Sequence, residues 1–353
     1  MPPQPYNRYP DTRAAPAAFD MASTASTRSA SPRLVADVGG TNGRFAIVRD
    51  GQLTERREYH NADFPDLPTL VARYLADAGN ADDDVAAACL AVAAPISADG
   101  EAKFTNAPWQ VSARGLERAM HLPRVALIND FAAQAYGLEM LGVADVAPIS
   151  AGAAGAVVSD ARVVFGPGTG LGCAALVPTI DAGGAPVAVT SEGGHMGFVA
   201  TTVEDRKIFD LAFGRYGRVS WERVCSGAGL ALVHAALWPD DAVAGVADGN
   251  PSDVVRLASA DPASRAGQTV RQYSGMLGAF AGDLALAFRA SGGVYLTGGV
   301  LGHLGDAFDR AAFLRRFVDK GRYREWLAAL PVSLIVADDC ALRGCARYLE
   351  RTG

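Results

Sequence analysis

Residues 34–48 read LVADVGGTNGRFAIV: two apolar runs separated by a glycine-rich connection, with Asp37 inside the first run. That carboxylate limits the possible folds more than any other residue. An ionised side chain in an otherwise buried strand is costly unless a partner, a hydrogen bond or a cation answers it. Gly39, Gly40, Thr41, Asn42 and Gly43 supply one answer, because such a connection can take positive φ and turn its N–H groups inward around an anion. A phosphate is the obvious anion, and Asp37 could then hold the metal ion that accompanies it. The plain alternative is a hairpin with a glycine-rich turn.

Two further glycine loops weigh against that alternative. Residues 163–165 run into Gly166-Pro-Gly-Thr-Gly-Leu-Gly172 and then the apolar stretch 173–177, and residues 294–297 run into Gly298 and Gly299. An ordinary turn needs only one or two glycines, so three such loops at the ends of apolar runs point to phosphate contact. None is followed by the Gly-Lys-Ser/Thr of a Walker A loop. None completes a dinucleotide fingerprint, since Leu171 stands where the third glycine should be.

At 353 residues the chain suits two domains. A formal net charge of −6 argues against nucleic acid or an anionic membrane as partner, and no apolar run approaches the roughly 20 residues that span a bilayer. Cys89, Cys173, Cys225, Cys340 and Cys345 lie mostly in apolar runs and read as reduced core residues of a cytoplasmic protein. The histidines form no pair at ligand spacing with each other or with the cysteines, which argues against a structural zinc site. Residues 1–32 are rich in Pro, Ala, Ser, Thr and Arg without apolar periodicity and read as a disordered tail. An organellar targeting segment or a start at Met21 are the alternatives there.

Along the chain, helical spacing of Leu70, Val71, Tyr74 and Leu75 predicts a helix over 67–78, and the apolar run 85–94, closed by Pro95, predicts a strand buried on both faces. Asn106 lies in a polar turn. A strand over 124–128 ends at Asn129-Asp130, where a helix over 131–141 begins. A polar pair at the carboxyl end of a strand is where open α/β sheets place ligands, although both residue types also favour helix N-caps. Ser191-Glu-Gly-Gly-His195 follows, Trp221-Glu-Arg223 opens a helix, and helices are expected over 253–257, 268–289 and 313–330. A strand over 331–336 and a helix over 341–349 close the chain, and the alternation assigns it to the α/β class.

Taken together, VADVGGTN, FTNAPW, LINDFAA, GPGTGLG, SEGGH, ERVCSG, GGVYLTGG and DKGRYREWLAALPV occur in one order, and through them the chain from Leu34 onward resembles bacterial glucokinases of the non-ROK type. The resemblance implies the two-domain actin-like ATPase fold, related to ribonuclease H, with a cleft between a small domain (33–140 plus 331–353) and a large one (141–330). It implies ATP-dependent phosphorylation of glucose with ATP and Mg²⁺, and a homodimer. Asp37, Val38, Gly39, Gly40, Thr41 and Asn42 would form the first phosphate loop, with Asp37 holding the metal directly or through water. Gly168, Thr169 and Gly170 would form the second loop, and Gly298 and Gly299 the adenosine contact. Asn106, Asn129, Asp130, Glu192, His195 and Glu222 would bind the sugar, with Asp130 as catalytic base. The pair Gly197-Phe198 departs locally from some relatives and bears on the rim of the sugar site.

These residue types suit the chemistry. Phosphoryl transfer needs alignment, charge neutralisation and a base for the hydroxyl proton, and a hexose offers hydroxyls that carboxylates and imidazoles can hold. A kinase for another hexose and a non-catalytic sugar-binding regulator are the competing readings. The zinc motif expected of ROK kinases is absent, and the N-terminal stretch is too short and proline-rich for a helix-turn-helix.

Overall fold

A computed structural model describes residues 31–79, 85–97, 99–104, 109–152, 160–179, 184–241 and 250–352. Asn106 and nearly all of the N-terminal stretch lie outside the described residues.

The first half of the described chain is built on β1 (Arg33–Val38), β2 (Asn42–Arg49), β3 (Gln52–His60), α1 (Leu67–Asp77), β4 (Ala87–Val92), β5 (Glu101–Lys103), β6 (Gln110–Ser112), α2 (Ala113–Ala119), β7 (Val125–Asn129) and α3 (Asp130–Gly137). Five of the strands form a sheet in the order β3-β2-β1-β4-β7, with β1, β4 and β7 parallel. The period-two alternation of β1 sorts its side chains onto two buried faces. Leu34, Ala36 and Val38 pack toward Leu67, Leu70 and Tyr74 of α1, while Val35 packs on the opposite face with Cys89, Ala341 and Cys345. Asp37 shares the parity of Val35 and so lies on that second face.

The second half comprises β8 (Val146–Ser150), β9 (Arg162–Pro167), β10 (Leu171–Val177), β11 (Val187–Ser191), α4 (Val203–Tyr216), α5 (Trp221–Cys225), α6 (Gly227–Leu237), α7 (Pro251–Ala260), α8 (Arg265–Phe288), β12 (Gly293–Leu296), α9 (Gly299–Leu304), α10 (Arg310–Phe317), α11 (Arg324–Ala328), β13 (Val332–Ile335) and α12 (Cys340–Thr352). Its sheet runs β11-β10-β9-β12-β13-β8. The long helix α8 forms the centre of its core, with Phe280 packed edge-on against Phe165 and tilted against Trp221.

Two helices connect the sheets. Helix α3 leaves β7 of the first sheet and the chain continues to β8 of the second; α12 follows β13 of the second sheet and packs on the Val35 face of the first. The final segment is therefore split, contrary to its assignment as a whole to the small domain: residues 332–335 pair with β12 and β8 in the second sheet, and α12 alone returns. The helix expected over 313–330 is also broken. Gly321, at φ +56°, separates α10 from α11.

Where α3 crosses α12, a Cβ on Gly344 would collide with the carbonyl of Ala133 and the amide of Gly137, and one on Gly137 would collide with Cys340. These contacts are with backbone, so neither helix can yield without moving. Alanine's helix preference of about 1 kcal/mol over glycine is smaller than an overpacking cost of about 1–3 kcal/mol against a rigid neighbour. Gly344→Ala is thus expected to destabilise the protein, read as a lower midpoint of thermal unfolding; an unchanged or raised midpoint would contradict this crossing.

Candidate active site

The first glycine loop joins β1 to β2. Gly39 N–H donates to the Asn42 carbonyl at 3.0 Å, and Asn61 fastens the loop from below: its N–H donates to Thr41 O and its Nδ2 to Gly39 O, both at 2.8 Å. Asn61 is 4% exposed and its Oδ1 has no hydrogen-bond partner among the described residues. The Asn42 side chain donates to Glu58 at 2.7 Å, and Arg44 donates to the other oxygen of Glu58 at 3.3 Å. Neither Gly39 nor Gly40 has a positive φ, so glycine serves here by leaving the backbone bare rather than by its conformational freedom.

The second and third loops abut. A Cβ on Gly166 would come within 2.5 Å of Thr297 O, and one on Gly298, itself at φ +102°, within 2.5 Å of Pro167 O. Gly168 N–H donates to Gly170 O at 2.8 Å, and Gly168 O accepts from Gly227 N–H at 2.9 Å, which ties the loop to the start of α6. Around Gly168 and Gly299 a Cβ would meet nothing within 4 Å. These two positions face open space that a ligand can approach.

Asn129 and Asp130 sit where β7 gives way to α3. Asn129 is the helix N-cap: its Oδ1 accepts from Phe131 N–H at 3.0 Å and Ala132 N–H at 3.3 Å, and its side chain also hydrogen-bonds the Asp130 carboxylate. Asp130 accepts from Phe131 N–H at 2.9 Å. Burial, then the charge of Asp37, push its carboxyl from the usual 3.8 up to about 7, against that hydrogen bond. Burial likewise raises Asp37, opposed by the Arg44 guanidinium directly across the β1/β2 pair and reinforced by Glu58. Asp37 and Asp130 are thus close enough for the charge of one to act on the other. The ring of Phe131 occupies the space where Gly172 would carry a side chain, which locks the start of α3 against β10 beside the second loop.

The third cluster lies beyond β11. Glu192 and His195 bracket a short turn, with His195 Nε2 3.9 Å from Glu192 and Nδ1 3.9 Å from Glu222 of α5. Arg218 donates to the His195 carbonyl at 2.8 Å, and Trp221 N–H donates to Met196 O at 3.0 Å. Phe198 is buried against Trp221, so the local departure at Gly197-Phe198 turns its aromatic ring into the core and leaves Met196 exposed. Glu222 also reaches the second loop, accepting from Leu171 N–H at 3.0 Å. The structure therefore joins Glu192, His195 and Glu222 to one another, and Glu222 to the second loop. Asn61, Glu58 and Arg218 had no place in the sequence reading, because their contacts join residues distant in sequence and no local pattern announces them.

Two α/β halves, three glycine loops at strand ends and a pair of interacting carboxylates, Asp37 and Asp130, accord with the fold of the sugar kinases and actin-like ATPases. The glucokinase family model matches residues 34–352, and the chain belongs to the glucokinase family. The glucokinase of Chromobacterium violaceum is 38% identical over 322 residues, covering 90% of this chain and 89% of that one. The bifunctional protein glk of Burkholderia thailandensis is 37% identical over 338 residues, 94% of this chain and 51% of that protein, so the chain spans about half the length of such relatives. The crystal structure of a glucokinase from an Antarctic psychrotroph superimposes with a TM-score of 0.76 at 32% identity, covering 91% of this chain and 99% of that one.

The titration of Asp130 has a consequence for stability. Its native value of about 7 lies above the ordinary 3.8, so between these pH values the native state binds more protons than the unfolded state and stability falls as pH rises. The penalty is absent below about pH 4 and complete above about pH 8. Asp130→Asn, which keeps the acceptor for Phe131, is expected to melt higher than wild type at pH 8 without nucleotide or metal, the gain shrinking toward pH 4. A gain that is equal at both pH values would refute the assignment.

Proposed function

We propose that the chain is a glucokinase that transfers the γ-phosphoryl group of ATP to the 6-hydroxyl of D-glucose. The observation that carries the reading is Asp130: a recessed carboxylate at the start of α3, held at about 7 by burial and by Asp37, with the phosphate loops alongside. A base serves best when its pKa lies near the working pH. Asp130 takes the hydroxyl proton as the oxygen attacks phosphorus, while the Asn129 side chain, which hydrogen-bonds Asp130, helps to orient the base and the sugar. Glu192, His195 and Glu222 hold other hydroxyls. The bare backbones of Gly39, Gly40, Thr41, Gly168, Thr169 and Gly170 receive phosphates, and the open face of Gly299 receives the adenosine.

Mg²⁺ fits this donor set. It prefers oxygen and is commonly held by one or two carboxylates, with water and substrate phosphates completing its shell. Among the described residues no group of three or more His, Cys, Asp or Glu is placed to hold a metal ion, and Asp37 offers a carboxylate whose charge is only partly answered by Arg44. When bound, the ion would supply charge neutralisation for the phosphates. We further propose a small domain of β1–α3 plus α12 and a large one from β8 to β13, with the sugar closing the cleft and excluding water, the competing acceptor.

The test is ADP release with Mg-ATP against glucose, mannose, fructose, galactose and N-acetylglucosamine. Turnover is expected chiefly with glucose, with kcat/KM rising through about pH 7 as Asp130 ionises. Asp130→Ala should lose about 10²–10⁴-fold in kcat, the usual worth of a general base. Equal turnover across the sugars would move the substrate, and full activity in the variant would remove Asp130 from the mechanism.

A further inference from the structure

Glu222 touches both halves of the site. One carboxylate oxygen, Oε2, accepts from Leu171 N–H at 3.0 Å, at the end of the second phosphate loop; the other, Oε1, lies 3.9 Å from His195 Nδ1 on the sugar side. Gly170 explains how the first contact is made. A Cβ there would come within 2.5 Å of Oε2 and 3.3 Å of the Glu222 carboxyl carbon, and would meet no other atom within 4 Å. The segment carrying Glu222 is fastened to the same loop again at Gly227, which donates to Gly168 O at 2.9 Å, and to the sugar turn through Trp221, which donates to Met196 O at 3.0 Å. Residues 168–171, 192–196 and 221–227 therefore behave as one hydrogen-bonded unit whose centre is the Glu222 carboxylate.

We infer that Glu222 is a positioning residue for the second phosphate loop as well as a sugar ligand, and that through it sugar and nucleotide bind cooperatively. The inference rests on the sugar-kinase reading above. A carboxylate accepts about four hydrogen bonds. With the site empty of sugar, the bond from Leu171 restrains one oxygen while the other has only the distant imidazole. Sugar hydroxyls donating to Oε1 fix the plane of the carboxylate, and with it the direction of Oε2 and the Leu171 amide. The ordering of the loop is then already in place when nucleotide arrives, which makes the second binding event more favourable. Reciprocity requires nucleotide to tighten sugar by the same factor.

The experiment measures binding of a non-hydrolysable ATP analogue with Mg²⁺ by calorimetry, with and without saturating glucose. Wild type is expected to gain at least about 5-fold in analogue affinity when glucose is present, the lower end of ordinary coupling. Gly170 has no positive φ, so Gly170→Ala brings no backbone strain; its methyl group displaces Oε2 from Leu171 while leaving the carboxylate charge and the other sugar ligands in place. In this variant the gain should fall below about 2-fold, with glucose alone still binding within a few-fold of wild type. Glu222→Ala provides the independent reading: with no sugar present it should weaken the analogue by about 5-fold, as loss of a loop hydrogen bond does, whereas a residue that only binds sugar would leave it unchanged. Full coupling in Gly170→Ala, or unchanged sugar-free affinity in Glu222→Ala, overturns the inference. Failure of wild type to bind glucose at all would instead overturn the sugar-kinase reading.

Discussion

Desolvation of two carboxylates, Asp37 and Asp130, is the constraint on which this site depends. Asp37 lies next to the end of β1 and Asp130 follows β7, and the single strand β4 separates them, so their backbones stand roughly 10 Å apart, two strand spacings. Burial disfavours charge on both, and the charge of Asp37 raises the pKa of Asp130 further. Arg44, placed opposite Asp37 on the neighbouring strand, supplies only partial compensation because Glu58 shares it. A site in this condition is poised for a ligand that brings positive charge, and it keeps one carboxylate near the pKa at which it can accept a proton. The cost is carried by the cores of the two sheets, as is usual where function requires unfavourable local charge.

The rest of the fold holds this arrangement in register. Helix α3 carries Asp130 on its first turn, and its next residue, Phe131, fills the space above Gly172 of the second sheet. The helix also crosses α12 at Gly137 and Gly344, close enough that a methyl group would not fit. Asp130 is thereby tied to the second phosphate loop on one side and to the returning C-terminal helix on the other. A rotation of one sheet against the other, of the kind proposed for cleft closure, would have to pass through this crossing.

Much of this was legible in the sequence. Asp37 stood out as a charge in an apolar strand, and the three glycine loops and the Asn129-Asp130 pair all fall at strand ends in the structure. What escaped was non-local or masked by polarity. Strand β3, QLTERREYH, lies at the sheet edge with mostly exposed side chains, and it lacks the apolar alternation by which strands are recognised. Residues 332–335 were grouped with the helix that follows them, because adjacency in sequence says nothing about which sheet a short apolar strand will join. The bond between Glu222 and Leu171 spans 51 positions, and Asn61 looks like any loop asparagine until its hydrogen bonds to Gly39 and Thr41 are seen. Asn129 takes the helix-cap role that its residue type allows.

The most direct measurement is a carboxyl ¹³C NMR titration of aspartate-labelled protein, with Asp130→Asn used to assign the Asp130 signal, first free and then with a magnesium nucleotide bound. The account predicts that Asp130 titrates near 7 in the free protein and lower once cationic charge beside Asp37 removes part of the repulsion. A free-protein titration near 4, the ordinary carboxylate range, would contradict it, because neither burial nor Asp37 would then be acting on the proposed base.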